Sequence, residues 1–320
     1  MKFFCGFPGR WVPIIPELMT GEAHRKIAIA AERLGYYGVL ADEHPAPVES
    51  WLAGPGGHHC IDPFVCLASV AAVTTRLRVL TYLAVVPYRN PFLFAKTATS
   101  LDIVSDGRLI LGVGLGYMKG EADALGVDFE RRNELFEEGL DIFRRCCTGE
   151  PVKVVGPYAN DDPVVMLPLS VQRPHPPLWI GGTSKISRRR AVDFAQGWMP
   201  TPRARNHAYH KVPPLENKDD LRELLKYMWD YAAEVGRTAP LDVVVTYHKM
   251  IDESASLEGQ LEQVEELREM GVTGITGGFG SGLGMGPRTL VDAIAKMEEF
   301  AEKVIKPCGR PEGGTLNPAV

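Results

Sequence analysis

A histidine flanked by two acids follows the second predicted strand. Residues 37–41 form a short apolar run typical of a buried strand, and Asp42, Glu43 and His44 come directly after it. A histidine accepts or donates a proton near neutral pH, which suits general acid–base chemistry. Histidines are more often surface or capping residues, but the loops after parallel barrel strands line the active face. We therefore expect His44 to be a catalytic residue.

The fourth predicted strand ends in the glycine-rich run GVGLGY, which contains Gly114, Gly116 and Tyr117. A dinucleotide fingerprint requires GxGxxG at the start of a βαβ unit. Here Tyr117 occupies the third glycine position and the run lies in the middle of the chain, so a Rossmann site is rejected. Two interpretations stay open: the glycines let the backbone approach a flat ligand, or the loop needs positive φ angles.

Two other strand ends carry glycine turns that suit an anion. Glycines, hydroxyls and the unpaired N–H groups at a helix start form a concave site for phosphate. A tight turn in which Ser184 caps the following helix is a compatible alternative. The residues assigned to these turns are Gly181, Gly182 and Thr183 after the fifth strand, and Gly277 and Gly278 after the eighth.

A metal site is not expected. His58, His59 and Cys60 are contiguous, with His44 and Cys66 nearby, but adjacent side chains diverge and none of the usual zinc-ligand spacings occurs. A barrel hydrolase that uses the histidines as metal ligands remains an alternative for metal analysis to test. The chain also lacks a GxxxxGK[ST] phosphate loop and a GxSxG nucleophile turn.

The elements that position these residues alternate along the chain. Apolar or β-branched runs alternate with amphipathic segments in eight β-then-α units, which favours a (β/α)8 TIM barrel of the α/β class. Without the weak fifth and sixth strands, the pattern would favour an open doubly wound sheet. The predicted strands are 2–7, 37–41, 77–86, 109–113, 178–180, 197–199, 241–248 and 272–276. The predicted helices are 22–34, 63–73, 92–104, 132–147, 185–195, 219–233, 257–270 and 287–304.

Length and composition fit one large barrel. The 320 residues are 45% hydrophobic and 23% charged, as expected of a globular protein with a full core. We expect a single domain over residues 1–305, with insertions at about 149–177 (proline-rich, with a hairpin) and 201–218, and a tail over 306–320.

The charge balance and the cysteines exclude several classes. A net charge of −5 gives no basic footprint for nucleic acid. The six cysteines show no framework spacing, which favours reduced thiols in a cytoplasmic protein. Apolar runs are too short for a membrane span, and the first residues do not form a signal peptide. The expected partner is a small molecule.

Four segments together resemble the bacterial luciferase-like superfamily. They are ADEH at 41–44, the run 77–129, VQRPHPPLWIGGTS at 171–184 and FAQGWMP at 194–200. Within the second, LD-x-x-S-x-GR followed by LG-x-G-x-G is the most specific part. The resemblance covers most of the first two hundred residues; beyond about residue 205 it extends only to the general barrel pattern.

The resemblance implies a (β/α)8 barrel, usually a homodimer, that binds either FMN or the deazaflavin coenzyme F-420. It implies that His44 lies beside the isoalloxazine ring as an acid/base residue. The backbone of Thr81, Tyr82 and Leu83 would form a bulge against the ring, with a non-prolyl cis peptide at Tyr82–Leu83. Tyr82 is bulkier than the residue usual at its position. The turn 181–183 matches the family's phosphate site.

The choice of cofactor sets the chemistry. The block 73–132 looks closer to the deazaflavin branch, whereas Glu43-His44 resembles the FMN branch except that Pro45 replaces its second histidine. Tyr117 stands where some deazaflavin dehydrogenases carry a catalytic Glu, which argues against a sugar-phosphate dehydrogenase. We favour coenzyme F-420, hydride transfer to or from an organic substrate, and proton movement by His44. The alternatives are an FMNH2-dependent monooxygenase and a cofactor-binding homologue without catalysis.

Two groups around the expected site have open roles. An aromatic, partly polar mouth would suit a planar or apolar substrate, although its tryptophans could equally pack loops. The residues of this mouth are Trp11, Trp51, His58, His59 and Tyr117. Three consecutive arginines, 188–190, either steer an anionic cofactor tail or are solvated on a helix face.

Overall fold

Eight parallel strand positions, which we call staves, close into a barrel. The computed structural model describes residues 1–7, 15–54, 57–202, 212–277, 287 and 289–308. The strands are β1 Lys2–Gly6, β2 Gly38–Ala41, β3 Arg78–Thr81, β4 Ala84–Val85, β5 Leu109–Gly114, β6 Leu178–Gly181, β7 Gly197–Met199, β8 Asp242–Thr246 and β9 Gly274–Thr276. They run in the order β3-β2-β1-β9-β8-β7-β6-β5-β4, and a β3–β5 pairing closes the ring. The predicted TIM barrel is confirmed.

The third stave differs from its prediction as one strand over 77–86. It consists of β3 and β4, which pair in succession with β5, through Val79 opposite Leu109 and then Ala84 opposite Val113. Between them, Tyr82 and Leu83 leave the ladder, and the peptide bond that joins them is cis, as predicted. At this interruption the Leu83 side chain packs beside glycines of the two following strands, Gly114 and Gly181.

Helices follow the staves and cover the barrel. They are α1 Gly21–Leu34, α2 Glu49–Leu52, α3 Pro63–Ala71, α4 Pro91–Val104, α5 Lys119–Ala124, α6 Arg132–Cys146, α7 Lys185–Phe194, α8 Lys218–Glu234, α9 Tyr247–Met250, α10 Leu257–Glu269 and α11 Leu290–Phe300. Three of them, α2, α5 and α9, are short helices in the loops after strands and were not predicted. None of the helices within the described ranges is long and apolar enough to cross a membrane.

Two predicted elements at the end of the chain have different bounds. The strand expected over 241–248 ends at Thr246, and its last residues instead form α9. The helix expected over 287–304 begins at Leu290, where Thr289 caps it by accepting a hydrogen bond from the Asp292 N–H at 3.0 Å. Its final turn, Ala301–Ile305, widens into a π-helix.

Side chains fill the barrel interior, so the barrel is a packed core rather than a pore. Apolar residues on the inward faces of the strands pack there with exposed fractions of at most 6%. A Cβ at Gly112 would lie 2.0 Å from the Thr81 carbonyl oxygen, so this glycine lets two staves approach. The interior residues are Phe4, Leu40, Leu80, Ile110, Trp179, Met199 and Val244. A ligand is therefore confined to the ends of the strands.

A buried polar network closes the amino end of the barrel. Arg108, which precedes β5, donates to the carbonyl oxygens of Ser105 (2.6 Å), Leu77 (3.0 Å) and Ala71 (2.9 Å), and to the Thr74 hydroxyl (2.9 Å). These bonds join the ends of α3 and α4 to the start of two staves. We call Arg108 and its partners, together with the residues of the next paragraph, the amino-end network.

The same network holds the end of the 149–177 insertion. Asp102 is fully buried and accepts hydrogen bonds from the Gln172 backbone N–H (2.9 Å) and amide Nε2 (2.7 Å). The Gln172 amide oxygen in turn accepts from Arg78 Nη2 at 3.1 Å. Within the insertion, the expected hairpin is reduced to one antiparallel bridge between Val152 and Val164.

Candidate active site at the carboxyl ends of the strands

His44 follows β2 and lies between two side chains from the loop after β5. Its Nδ1 lies 3.2 Å from Glu121 Oε2, and its Nε2 lies 3.3 Å from the Tyr117 hydroxyl. The structure thus brings together two residues that the sequence singled out, His44 and Tyr117. The imidazole can exchange protons on both sides because each ring nitrogen has a polar partner.

Glu121 is a site residue that the sequence reasoning missed. It belongs to α5, is only 1% exposed, and also accepts hydrogen bonds from the Ala46 N–H and the Tyr88 hydroxyl, each at 3.1 Å. Burial, together with this carboxylate, raises the pKa of Tyr88, so the phenol stays protonated. Glu121 lies in α5, the short helix that directly follows the glycine-rich loop with Tyr117, so its place in this loop was the signal that the sequence offered.

An aromatic wall surrounds the His44 ring. The Trp51 ring centroid lies 4.5 Å from that of His44 and 5.1 Å from that of His58, and the two histidine rings meet edge to face at 5.2 Å. His58 Nε2 lies 3.5 Å from Asp42 Oδ2, a second histidine–carboxylate pair. Trp51, His58 and Tyr117 thus assemble as predicted, whereas His59 is exposed. Trp11 lies outside the described residues.

Glu43 holds the barrel wall rather than the mouth. It is 5% exposed, accepts a hydrogen bond from the Val85 N–H at 2.5 Å and forms an ion pair with Arg89. Burial raises the pKa of Glu43, and the Arg89 guanidinium opposes that shift. Arg89 also reaches Asp62 at 2.8 Å, the residue that caps α3. The Glu43 carboxylate therefore anchors β4, the second half of the interrupted stave.

The interrupted stave and the glycines next to it form one packing unit. A Cβ at Gly114 would lie 2.3 Å from the Leu83 side chain, and one at Gly181 would lie 2.0 Å from it. The Thr81 hydroxyl donates to the Gly112 carbonyl at 2.8 Å, which holds the stave where it bends. These glycines make room for Leu83, so the backbone bulge at 82–83 reaches toward the strands that carry the other glycine turns.

The glycine turns have distinct conformations. Gly116 has φ of 75°, so the interpretation that this loop needs a positive φ is confirmed there. Gly182 has φ of 94°, and Ser184 caps α7 by accepting from the Ser187 N–H at 3.0 Å. The Thr183 hydroxyl donates to the Pro213 carbonyl at 2.7 Å. Gly277 packs against the Phe300 ring, and Gly278 lies outside the described residues.

The three arginines of α7 are not all solvated. Arg188 is buried, with its guanidinium carbon 4.4 Å from the centre of the Tyr227 ring. Arg190 is also buried; its Nε lies 2.6 Å from the Glu137 carboxylate. Arg189 is exposed and donates to the Tyr227 hydroxyl at 2.9 Å. The expectation of a solvated trio was wrong, because two of the side chains pack between α7 and its neighbouring helices.

Two further observations concern what the site can bind. Among the residues that the structure describes, no group of three or more His, Cys, Asp and Glu side chains is arranged to hold a metal ion. A cavity of about 550 Å³ opens between the start of α4 and the 149–177 insertion. Its lining contains none of the predicted site residues, so this cavity is separate from the His44 cluster.

Comparisons with known proteins agree with this architecture. The model of the luciferase-like monooxygenase family matches residues 12–257. The uncharacterized protein Rv0940c of Mycobacterium tuberculosis is 31% identical over 293 residues, covering 87% of this chain and 93% of its own length. Another M. tuberculosis relative, the uncharacterized protein Rv0953c, is 29% identical over 263 residues and covers 82% of both chains.

Solved structures share the fold at lower identity. Monooxygenase RslO1 from Streptomyces bottropensis superposes with a TM-score of 0.77 at 20% identity, covering 97% of this chain and 100% of the other. The coenzyme F-420-dependent tetrahydromethanopterin reductase of Methanopyrus kandleri gives 0.70 at 16% identity, covering 96% and 99%. The family model matches most of the chain, including strands β2 to β8 and the loops that carry the candidate site. The chain therefore belongs to the luciferase-like monooxygenase family.

Proposed function

We propose that this protein is an oxidoreductase that uses bound coenzyme F-420 for hydride transfer to or from a small organic substrate. The observation that carries the proposal is the placement of His44 at the carboxyl end of β2, between Glu121 and Tyr117. A histidine in such a position can move the proton that must accompany hydride transfer at a carbon–oxygen bond.

The residues present fit a cofactor with an anionic phosphate arm. The positive φ of Gly182 turns the backbone just before α7, whose first N–H groups favour an anion. The turn formed by Gly181, Gly182 and Thr183 would hold the phosphate, and the bulge at Tyr82–Leu83 would lie against the ring. Local N–H groups have to do this work because the chain carries a net charge of −5.

When bound, the deazaflavin supplies the donor or acceptor of the hydride. The protein supplies orientation, exclusion of water and a proton path. The Trp51 ring packs on His44 and shields it from bulk solvent, while Tyr117 and His58 give the same mouth two polar contacts for a substrate. This mixture of flat apolar surface and few polar groups suits a planar substrate with one hydroxyl or carbonyl group.

The second candidate is an FMNH2-dependent monooxygenase that uses oxygen. It is supported by the description of the matching family model, and a Baeyer–Villiger monooxygenase of Pseudomonas putida, solved with FMN, has a related barrel with a TM-score of 0.59. The phosphate turn serves either cofactor. Support for the deazaflavin comes from the block 73–132 and from Pro45, which replaces the second histidine of the FMN branch. We also expect a cytoplasmic homodimer.

A binding titration separates the two candidates. Purified protein is titrated with F-420 and with FMN, each oxidised and reduced, and binding is followed by fluorescence. We expect saturable binding of F-420 and negligible binding of FMN, with turnover independent of oxygen. Tight binding of FMN alone, with oxygen consumed in step with product, would favour the monooxygenase. Binding of neither cofactor would refute both candidates.

The phosphate turn is tested with a matched pair of glycine variants. Gly182→Ala and Gly236→Ala both place a side chain at a positive φ, 94° and 71°, so each should lose a similar stability of about 1 kcal/mol. Only Gly182 borders the proposed phosphate site; Gly236 follows α8. We expect Gly182→Ala to weaken cofactor binding at least tenfold and Gly236→Ala to leave it unchanged. Equal affinities would remove the turn from the binding site.

A further inference from the structure

Glu121 is the only carboxylate within the described residues that directly contacts the His44 ring. Its Oε1 accepts from the Ala46 N–H and its Oε2 from the Tyr88 hydroxyl, so it is held in place from two sides. A buried carboxylate in such a setting is an acceptor, so the His44 nitrogen that faces it must carry a proton. The neutral imidazole then has its proton on Nδ1 and a lone pair on Nε2.

Tyr117 occupies the other side of the ring. Its hydroxyl lies 3.3 Å from His44 Nε2, and a nitrogen with a lone pair accepts the phenolic proton. Tyr117 is partly exposed, whereas Glu121 is 1% exposed. The chain of polar groups therefore leads from a buried carboxylate, through the imidazole, to the hydroxyl of a partly exposed tyrosine.

We propose that Glu121 is a positioning residue that fixes His44 as its Nδ1–H tautomer, and that Tyr117 is the group that exchanges the proton with the substrate. This inference rests on the proposed function for its chemical purpose. In the oxidation direction, the substrate hydroxyl gives its proton to the Tyr117 oxygen as Tyr117 passes its own proton to His44 Nε2. The resulting imidazolium lies against the Glu121 carboxylate, and reduction runs the transfer in reverse.

The other groups around His44 have separate places in this arrangement. His58, paired with Asp42, meets the ring edge to face, and Trp51 covers its face. The Cys60 thiol accepts from the His44 backbone N–H at 2.9 Å; burial raises the pKa of Cys60 to about 12, so it stays uncharged. The side chains that lie within hydrogen-bond distance of the ring nitrogens are Glu121 at Nδ1 and Tyr117 at Nε2, and the proposal assigns the tautomer to them.

The tautomer can be read directly in the cofactor-free protein. Nitrogen-15 NMR of histidine-labelled protein distinguishes the protonated from the unprotonated ring nitrogen, and the His44 signals are assigned from their loss in His44→Gln. Spectra are recorded over a series of increasing pH, and the tautomer is read where the nitrogen-15 shifts no longer change with pH. We expect the Nδ1–H tautomer in the unaltered protein. Observation of the Nε2–H tautomer would overturn the proposal without any variant.

Glu121→Gln should reverse the tautomer. The glutamine oxygen must face the Ala46 N–H, because its amide group there would oppose another donor. The amide then donates to His44 Nδ1 and moves the ring proton to Nε2. Tyr88→Phe is the matched control, since it removes another donor to the same carboxylate but should leave the Nδ1–H tautomer. A Glu121→Gln protein that keeps the wild-type tautomer contradicts the proposal.

Turnover provides the second readout. We expect kcat to fall on the order of 10²–10⁴-fold in Glu121→Gln and about 10²-fold in Tyr117→Phe, with cofactor affinity retained. Tyr117→Phe should keep the Nδ1–H tautomer, because Glu121 is intact. Full turnover in Tyr117→Phe would remove the tyrosine from the proton path. If F-420 fails to bind while the tautomer reverses as expected, the cofactor assignment is wrong and the tautomer control by Glu121 stands.

Discussion

The two ends of the barrel use the same kinds of polar residue in opposite ways. At the amino end of the barrel, Asp102 and Arg108 are 0% and 6% exposed, and their polar atoms are bonded to main-chain groups and to other side chains. At the carboxyl end, the His44 side chain is 11% exposed, and its partner Tyr117 is partly open. Polar groups that are bonded to one another inside the fold stabilise it, whereas polar groups that reach the surface can exchange protons with a ligand.

This contrast changes what the most specific sequence motif means. The run LD-x-x-S-x-GR contains Asp102, Ser105 and Arg108, all of which belong to the amino-end network. It identifies the family but takes no part in the candidate chemistry. The residues that carry chemistry follow β2 and β5 at the other end of the barrel. A motif that identifies a family can thus belong to a network that stabilises the fold rather than to the active site.

The largest expected effect is a loss of activity from a substitution at the carboxyl end of the barrel. His44→Gln should lower kcat/KM for hydride transfer on the order of 10²–10⁴-fold because it removes the acid/base group, while the melting temperature stays nearly constant. Steady-state kinetics and thermal unfolding check this. His59→Gln is the control, since His59 is close in sequence but exposed, and it should leave both quantities unchanged. A His44→Gln protein with full turnover and a normal pH profile would refute the catalytic assignment.

A substitution at the amino end of the barrel should instead lower the free energy of unfolding. Arg108→Met leaves three buried carbonyl oxygens and a threonine hydroxyl without their donor, so we expect a loss of about 3–5 kcal/mol in the free energy of unfolding. Urea denaturation measures it. Arg76→Met is the control: its side chain is 78% exposed, and the change should stay within about 0.5 kcal/mol. An Arg108→Met protein as stable as the Arg76→Met protein would show that the amino-end network does not stabilise the fold.

The smallest expected effect concerns His175, which precedes β6 near the amino end of the barrel. Burial lowers the pKa of His175. The unfolded chain therefore binds a proton more readily as the pH falls below about 6.5, and His175 stabilises the fold above that pH and loses this contribution on acidification. Unfolding free energies measured from pH 7.5 to 5 should fall less steeply in His175→Gln than in the wild type. An unchanged slope would contradict the prediction.

Patterns along the chain predicted the elements well, and side-chain partners less well. The strands follow from short apolar runs, and Ser184 caps α7, as its place after the glycine turn suggested. His44 was found because it directly follows a strand. Glu121 was missed because an acid in a surface-like helical run carries no local sign of burial. The arginines of α7 were misjudged for the same reason, since the helices that cover them are distant in sequence.

The sequence by itself determined the barrel, the order of its staves and the loops that must meet at the carboxyl ends, because local hydrophobic periodicity and parallel connections are properties of consecutive residues. Only the tertiary structure decided which side chains meet there. Glu121 and His44 are 77 residues apart, and Arg78 and Gln172 are 94 apart. Such pairs form only when the closed sheet brings distant loops together. Burial then decides which polar groups only stabilise the fold and which can exchange protons with a ligand.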